Sequence, residues 1–189
     1  MQTKKEVLTK DEIDRLITRL SHEIVEKNKG VSTLAIVGIR TRGYIIAKRI
    51  AKVIEEQYNA RLDVGALDIT FYRDDLGLAS EQPVVHNTEI DFDIEGKDII
   101  LIDDVLYTGR TVRCGLDALM DFGRPKTIQL AVLIDRGHRE LPIKADYVGK
   151  NLPTSQSEIV EVKLEEVDGE SGVFIINRQD DQTGEQEKT

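Results

Sequence analysis

The ten residues Ile102-Asp103-Asp104-Val105-Leu106-Tyr107-Thr108-Gly109-Arg110-Thr111 concentrate more potential chemistry than any other stretch of the chain. Two adjacent carboxylates close an apolar run, Ile99 to Ile102. After three more residues come two hydroxyls flanking a glycine and an arginine. A turn of this composition at the start of a helix suits a phosphate monoester. The helix N-terminus favours an anion, and glycine lets the backbone approach it closely. The carboxylates then stand about one sugar away, where ribose hydroxyls can donate to them. The plainer reading makes Asp103 and Asp104 the caps of an ordinary strand-to-helix turn. An Asp-Asp pair alone would favour that reading; the full strand–DD–x3–TGxT order outweighs it. The run lacks both the Gly-Lys-Ser/Thr of a Walker loop and the G-x-G-x-x-G of a dinucleotide site.

Such a loop needs a strand before it and a helix after it, and the flanking pattern supplies both. Thr9-Lys10-Asp11-Glu12 has capping-box spacing, and Ile13, Leu16, Ile17, Leu20 and Ile24 recur at helical intervals behind it. Asn28 and Gly30 suit the helix end. Ser32–Val37 reads as a buried strand, Gly38–Gly43 as a loop, and Ile46, Ala47, Ile50 and Ile54 as the next helix. Strands follow over Val64–Phe71, Asp98–Ile102 and Ile128–Ile134, with a helix from about Thr111 to Gly123 before Pro125. Strands alternating with helices predict an α/β fold, a mostly parallel central sheet with helices on both faces. Tyr72–Thr88 breaks the rhythm and reads as a projecting flap, within about residues 70–90. Glu158–Leu164 and Val173–Ile176 predict a terminal hairpin turning at Asp168-Gly169. Residues 1–178 read as a single domain and 179–189 as a polar, disordered tail.

The chain has 189 residues, 40% hydrophobic and 32% charged, with a net charge of −9. That balance argues against a protein coated in basic residues, so any nucleic-acid contact needs a local patch. A lone cysteine, Cys114, supports no internal disulfide framework and reads as a small core residue. No apolar run is long enough to span a membrane, and the N-terminal residues do not resemble a secretory signal. A cytoplasmic protein with no membrane partner is expected.

The Ile99–Thr111 run resembles the 13-residue phosphoribosyl pyrophosphate (PRPP) motif of the type I phosphoribosyltransferases. The resemblance implies that Asp103 and Asp104 hold the ribose hydroxyls and that Tyr107, Thr108, Gly109, Arg110 and Thr111, with Val105 and Leu106 before them, wrap the 5′-phosphate. Magnesium is then bound mainly by substrate oxygens, with Asp103 and Asp104 acting indirectly through water or hydroxyls. Gly38–Gly43 resembles the family's pyrophosphate loop, with Arg40, Thr41 and Arg42 facing the leaving group. Arg40 replaces a lysine common there. Thr70–Asp75 resembles the flap, from which Arg73 would neutralise pyrophosphate. No activated nucleophile is required, because positioning and charge stabilisation suffice for such a transfer.

Further segments narrow the resemblance. Thr18–Ile24, Asn28-Lys29-Gly30 and Leu133–Ile143 continuing to Ser155 look like the bacterial pyrimidine-operon attenuation regulators that are also uracil phosphoribosyltransferases. This family resemblance implies uracil as the base, UMP or UTP as nucleotide ligands, and a hood over about residues 135–160. There Arg136 and the neighbourhood of Val160 would close the base pocket, with the N-terminal helix nearby. It also implies a leader-mRNA surface formed by Thr18, Arg19, His22 and Lys27 together with His138, Arg139, Lys144 and Lys150. Lys27 and Lys144 stand where relatives often carry arginine, which keeps charge but alters bidentate contact. Replacing Arg19 and Arg139 with alanine is expected to weaken RNA binding and spare UMP synthesis. Homodimers or larger homo-oligomers are implied as well. Two alternatives stay open: a purine or xanthine phosphoribosyltransferase without RNA binding, and a nucleotide sensor that has lost catalysis.

Overall fold

The computed structural model describes residues 4–70 and 87–177. The chain runs β1 (Lys4–Thr9), α1 (Lys10–Lys27), β2 (Leu34–Ile39), α2 (Arg42–Tyr58), β3 (Asp63–Leu67), β4 (Asp98–Leu106), α3 (Arg110–Met120), β5 (Thr127–Asp135), β6 (Tyr147–Asn151), β7 (Glu158–Lys163), α4 (Glu165–Asp168) and β8 (Gly172–Asn177). Five strands form a parallel sheet in the order β3-β2-β4-β5-β6. A second, antiparallel sheet has the order β1-β8-β7. Most of the predicted flap, including Phe71, Tyr72 and Arg73, and the predicted tail lie outside the described residues, which resume at Asn87.

Side-chain alternation sorts the parallel strands into two apolar layers. Ile36, Ile100 and Leu133 pack with Ile17, Leu20 and Ile24 of α1 and Ile46, Ile50 and Ile54 of α2. Val37, Ile99, Leu101 and Val132 pack with Val112, Ala118 and Leu119 of α3 on the other face. Helices therefore cover both faces, as the sequence predicts, and buried Cys114 belongs to α3. Leu8, Val160, Val162, Leu164 and Val173 of the second sheet and its connections join the first layer. Among the described residues no helix is long and apolar enough to cross a membrane.

Thr9 caps α1 as its spacing predicts: its side chain accepts from the Glu12 amide while Glu12 accepts from the Thr9 amide at 2.8 Å. Two strands differ from expectation. The strand predicted as Val64–Phe71 ends at Leu67, and β4 does not stop before the acidic pair. It continues to Leu106 because β5 runs alongside it, pairing Asp103 with Val132 and Val105 with Ile134. The expected hairpin is present as β7 and β8, with a turn of helix at Glu165–Asp168 before Gly169.

Candidate functional site: the carboxyl end of the parallel sheet

The site is built where β4 hands over to α3. Asp103 is buried, whereas Asp104 is half-exposed. The Asp104 amide donates to Asp103 Oδ1 at 2.9 Å, and the Val105 amide donates to Asp104 Oδ1 at 2.9 Å. Burial, and then the neighbouring charge of Asp104, raise the proton affinity of the Asp103 carboxyl well above the ordinary range. A like-charge pair of this kind, with one member buried, is relieved by hydroxyl donors or by a cation. Among the described residues no group of three or more His, Cys, Asp or Glu could hold a metal ion.

Gly109 sits at φ +93 as the N-cap of α3, with no side-chain cap on the helix. A left-handed residue here turns the chain sharply and leaves the positive helix end directed at the loop. The Thr108 hydroxyl accepts from the Arg110 amide at 3.3 Å, and the Thr108 carbonyl accepts from the amides of Glu140 and Leu141 at 2.9 and 3.1 Å. The turn after β5 is thereby laced to the loop. Arg110 Nε lies 2.5 Å from Glu140 Oε2, so this guanidinium is engaged by that turn; Thr111 is exposed.

The segment Arg40–Arg42 approaches from the neighbouring strand. A Cβ on Gly43 would lie 2.5 Å from the Ile102 carbonyl oxygen and 3.2 Å from Asp103 Cα. Only glycine permits the start of α2 to press against β4 at the acidic pair. The Arg40–Thr41 peptide is cis, and Thr41 is exposed. Arg40 donates from Nε to the Asn87 carbonyl at 3.0 Å and pairs with Glu89 at 2.8 Å. Arg42 makes a two-point pair with Asp168, Nε to Oδ2 at 3.1 Å and Nη2 to Oδ1 at 2.7 Å. That partner gives no local sequence signal, because it lies 126 positions away.

Arg136 is buried at the opposite wall. It donates to Thr154 Oγ1 at 3.1 Å and to the Ser155 and Glu158 carbonyls at 3.1 and 2.7 Å. Its guanidinium lies 4.0 Å from the centre of the Tyr107 ring. Such stacking on an aromatic face fixes both groups. Val160 is buried on β7, two residues past Glu158.

The basic residues singled out in the sequence divide into two groups. Helix α1 lies against β6, and Arg19 donates to the Val148 and Gly149 carbonyls at 3.1 and 2.5 Å. Lys27 pairs with Asp146 at 3.0 Å and lies 4.9 Å from the centre of the Tyr147 ring. His22 contacts the Tyr58 hydroxyl at 3.2 Å, and the Thr18 hydroxyl donates to the Asp14 carbonyl. Lys144 and Lys150 are exposed on the segment and strand beside this helix. Arg139 differs: it turns inward to the Tyr107 and Ile143 carbonyls at 2.9 Å each and to Asp135 at 2.5 Å. His138 is exposed, with Nε2 2.5 Å from the Thr154 carbonyl oxygen.

An acidic pair, one member buried and one half-exposed, feeding a glycine turn at the carboxyl end of a parallel sheet is the arrangement of an α/β ligand site. Residues 4–167 match the phosphoribosyl transferase domain family. The chain belongs to this family and, within it, to the group of proteins named PyrR. Bifunctional protein PyrR of Roseiflexus sp. (strain RS-1) is 61% identical over 173 residues, covering 91% of this chain and 94% of the relative. Bifunctional protein PyrR of Clostridioides difficile is 58% identical, covering 93% of this chain and 99% of the relative. Among solved structures, a hypoxanthine phosphoribosyltransferase of Trypanosoma cruzi in complex with IMP aligns with a TM-score of 0.69 at 20% identity, covering 92% of this chain and 94% of that one. One from Staphylococcus aureus gives 0.66 at 22% identity, covering 89% and 90%. At such identities these two structures speak for the fold alone.

Proposed function

We propose that the chain transfers the phosphoribosyl group of PRPP to uracil in the cytoplasm, forming UMP and pyrophosphate, and that its uridine-nucleotide form binds a pyrimidine-operon leader mRNA and attenuates transcription. The observation that carries the enzymatic half is the buried Asp103 and half-exposed Asp104 leading directly into the Gly109 turn and the N-terminus of α3. Ribose hydroxyls donate to the acidic pair, which relieves its mutual repulsion. The amides and hydroxyls of Tyr107, Thr108, Gly109, Arg110 and Thr111 hold the 5′-phosphate. Arg40, Thr41 and Arg42 face pyrophosphate, joined by Arg73 from outside the described residues. Arg136 and Val160 cover the base.

In the transfer the anomeric C–O bond breaks, its electron pair leaves with pyrophosphate, and a ring nitrogen of uracil bonds to the anomeric carbon as it loses its proton. The oxocarbenium-like centre is stabilised by charge placement rather than by a covalent intermediate. Magnesium would fit here as a partner of PRPP: Asp103 and Asp104 would hold it indirectly, through water or sugar hydroxyls, and it would supply positive charge for the departing pyrophosphate. The regulatory half is supported by relatives named as bifunctional and by the exposed basic groups where α1 meets β6. An acidic chain can bind RNA through such a focused patch. The nucleotide must favour the RNA-binding state for the two functions to be linked. Homodimers or larger homo-oligomers form part of the same reading.

A panel of bases with PRPP and magnesium tests the enzyme: UMP formation from uracil is expected, and turnover of hypoxanthine or guanine in its place would overturn the substrate. Leader-RNA binding with and without UMP, across a salt series, tests the regulator. Weak binding indifferent to nucleotide would leave the enzyme only.

A further inference from the structure

Arg42 cannot be understood from its own loop. Its Nε and Nη2 are taken by the two oxygens of Asp168, and among the described residues none accepts from Nη1. The pair is substantially shielded, with 34% of the Arg42 side chain and 14% of the Asp168 side chain exposed, so solvent screens it less than a surface pair. Asp104, and after it Glu161, also favour the charge on Arg42, and the next residue, Gly43, packs so closely on β4 that a Cβ there would lie 3.2 Å from Asp103 Cα.

Asp168 is itself held firmly. Its Oδ2 accepts from the Leu164 amide at 2.8 Å, and its own amide donates to the Leu164 carbonyl at 2.8 Å; Leu164 is fully buried. Two turns along α2 from Arg42, Arg49 makes a second two-point pair, with Glu166 at 2.9 and 2.7 Å. Lys10 at the start of α1 binds Glu165. The short helix α4 is therefore pinned to α1 and α2 at three places, and Asp168 is a fixed carboxylate at the edge of the site.

We propose that Asp168 is a positioning residue for the transfer: by holding the Nε–Nη2 edge of Arg42, it directs the Nη1 end toward the pyrophosphate leaving group beside Asp104. This rests on the reading that Arg42 faces pyrophosphate. A free arginine side chain must be ordered when it meets an anion, at a cost in rotamer entropy, whereas one already clamped is ready to donate. The contribution is made to PRPP binding, before and during transfer alike, so it falls on KM for PRPP rather than on kcat. Uracil, held elsewhere, is unaffected.

The test uses the full chain with PRPP, uracil and magnesium. Asp168→Asn, and Asp168→Ser as a second neutral variant, are expected to raise KM for PRPP about tenfold, as for loss of one charge-assisted contact, with kcat and KM for uracil within about twofold. Asp168→Glu retains the charge and is expected to recover most of that loss. Arg42→Ala is expected to raise KM for PRPP on its own, and adding Asp168→Asn to it should change nothing further, because Asp168 acts through Arg42. Unchanged KM for PRPP in the neutral variants, full additivity with Arg42→Ala, or a parallel rise in both KM values with a lowered Tm would each overturn the proposal and leave Asp168 as a structural tie. So would failure of both neutral variants to fold. If Arg42→Ala itself leaves KM for PRPP unchanged, the placement of Arg42 at pyrophosphate fails and this inference goes with it. A wild-type chain that makes no UMP, by contrast, would strike the proposed reaction itself.

Discussion

Arg139 Nη1 donates to the Tyr107 carbonyl oxygen at 2.9 Å, joining the turn after β5 to the loop that follows the acidic pair. The same guanidinium holds Asp135 and the Ile143 carbonyl, so one side chain braces both ends of that turn. The fold thus separates two arginines that the sequence groups together. Arg139→Ala is expected to reduce UMP formation by about tenfold and to weaken RNA binding as well, since the part-buried Tyr107, Ile143 and Asp135 acceptors would lose their shared donor, a loss of roughly 1–3 kcal/mol. Steady-state kinetics beside an RNA titration checks this; unchanged UMP synthesis would show that the brace is dispensable.

Arg19 gives the opposite expectation. It lies half-exposed where α1 meets β6, two strands away from β4 and its acidic pair in the sheet order. Arg19→Ala should leave UMP formation unchanged and weaken leader-RNA binding, with the slope of log affinity against log salt falling by roughly 0.7 for one lost single-strand phosphate contact. An unaltered slope and affinity would remove Arg19 from the RNA surface.

Asp103 carries a cost in stability. Its folded-state proton affinity is raised, so folding favours the protonated form, and this preference is lost as pH rises through the folded pKa. At neutral pH the buried charge therefore costs stability. Asp103→Asn is expected to raise Tm at neutral pH while sharply lowering UMP formation, with the Tm gap closing as pH falls through the raised folded pKa and gone below the ordinary value of 3.8. Melting curves at both pH values check the sign; a variant less stable than wild type at neutral pH would contradict it.

Asp98 works at the other end of the sheet, away from the chemistry. It is buried and accepts from the hydroxyls of Thr33 and Thr127 at 2.7 Å each, tying β4 to the segment before β2 and to β5. Those two hydrogen bonds lower its proton affinity despite burial. Its contribution is present above the ordinary value of 3.8 and fades as pH falls through the lowered folded value. Asp98→Ala should cost about 1–3 kcal/mol at neutral pH while leaving KM for both substrates unchanged. Denaturant melts at neutral and acid pH read both the loss and its disappearance.

The readable elements were those with strong local signals. Thr9 and Glu12 start α1 by reciprocal capping, a contact made within three residues. Buried runs such as Leu34–Ile39 are apolar on both faces because helices cover both, and that continuity is visible directly in the sequence. Less visible were β1, whose Lys-Lys-Glu start has no apolar alternation, and β6, read as part of the base-covering segment. Both form because an edge is available, on β8 and β5 respectively. The extension of β4 through Asp103 and Asp104 likewise depends on its ladder with β5.

By itself the sequence determined the identity and order of the groups in the site: an acidic pair, a glycine turn and a helix start are contiguous, so local chain geometry places them together. It also determined the alternating α/β pattern, since hydrophobic periodicity needs no knowledge of partners. The tertiary structure alone decided which arginines remain at the surface and which are spent inside. Arg42 meets Asp168 and Arg139 meets the Tyr107 carbonyl across 126 and 32 positions, whereas Arg110 meets Glu140 at the surface across 30. A guanidinium's role is set by the acceptor it reaches, and packing, rather than sequence spacing, selects that acceptor.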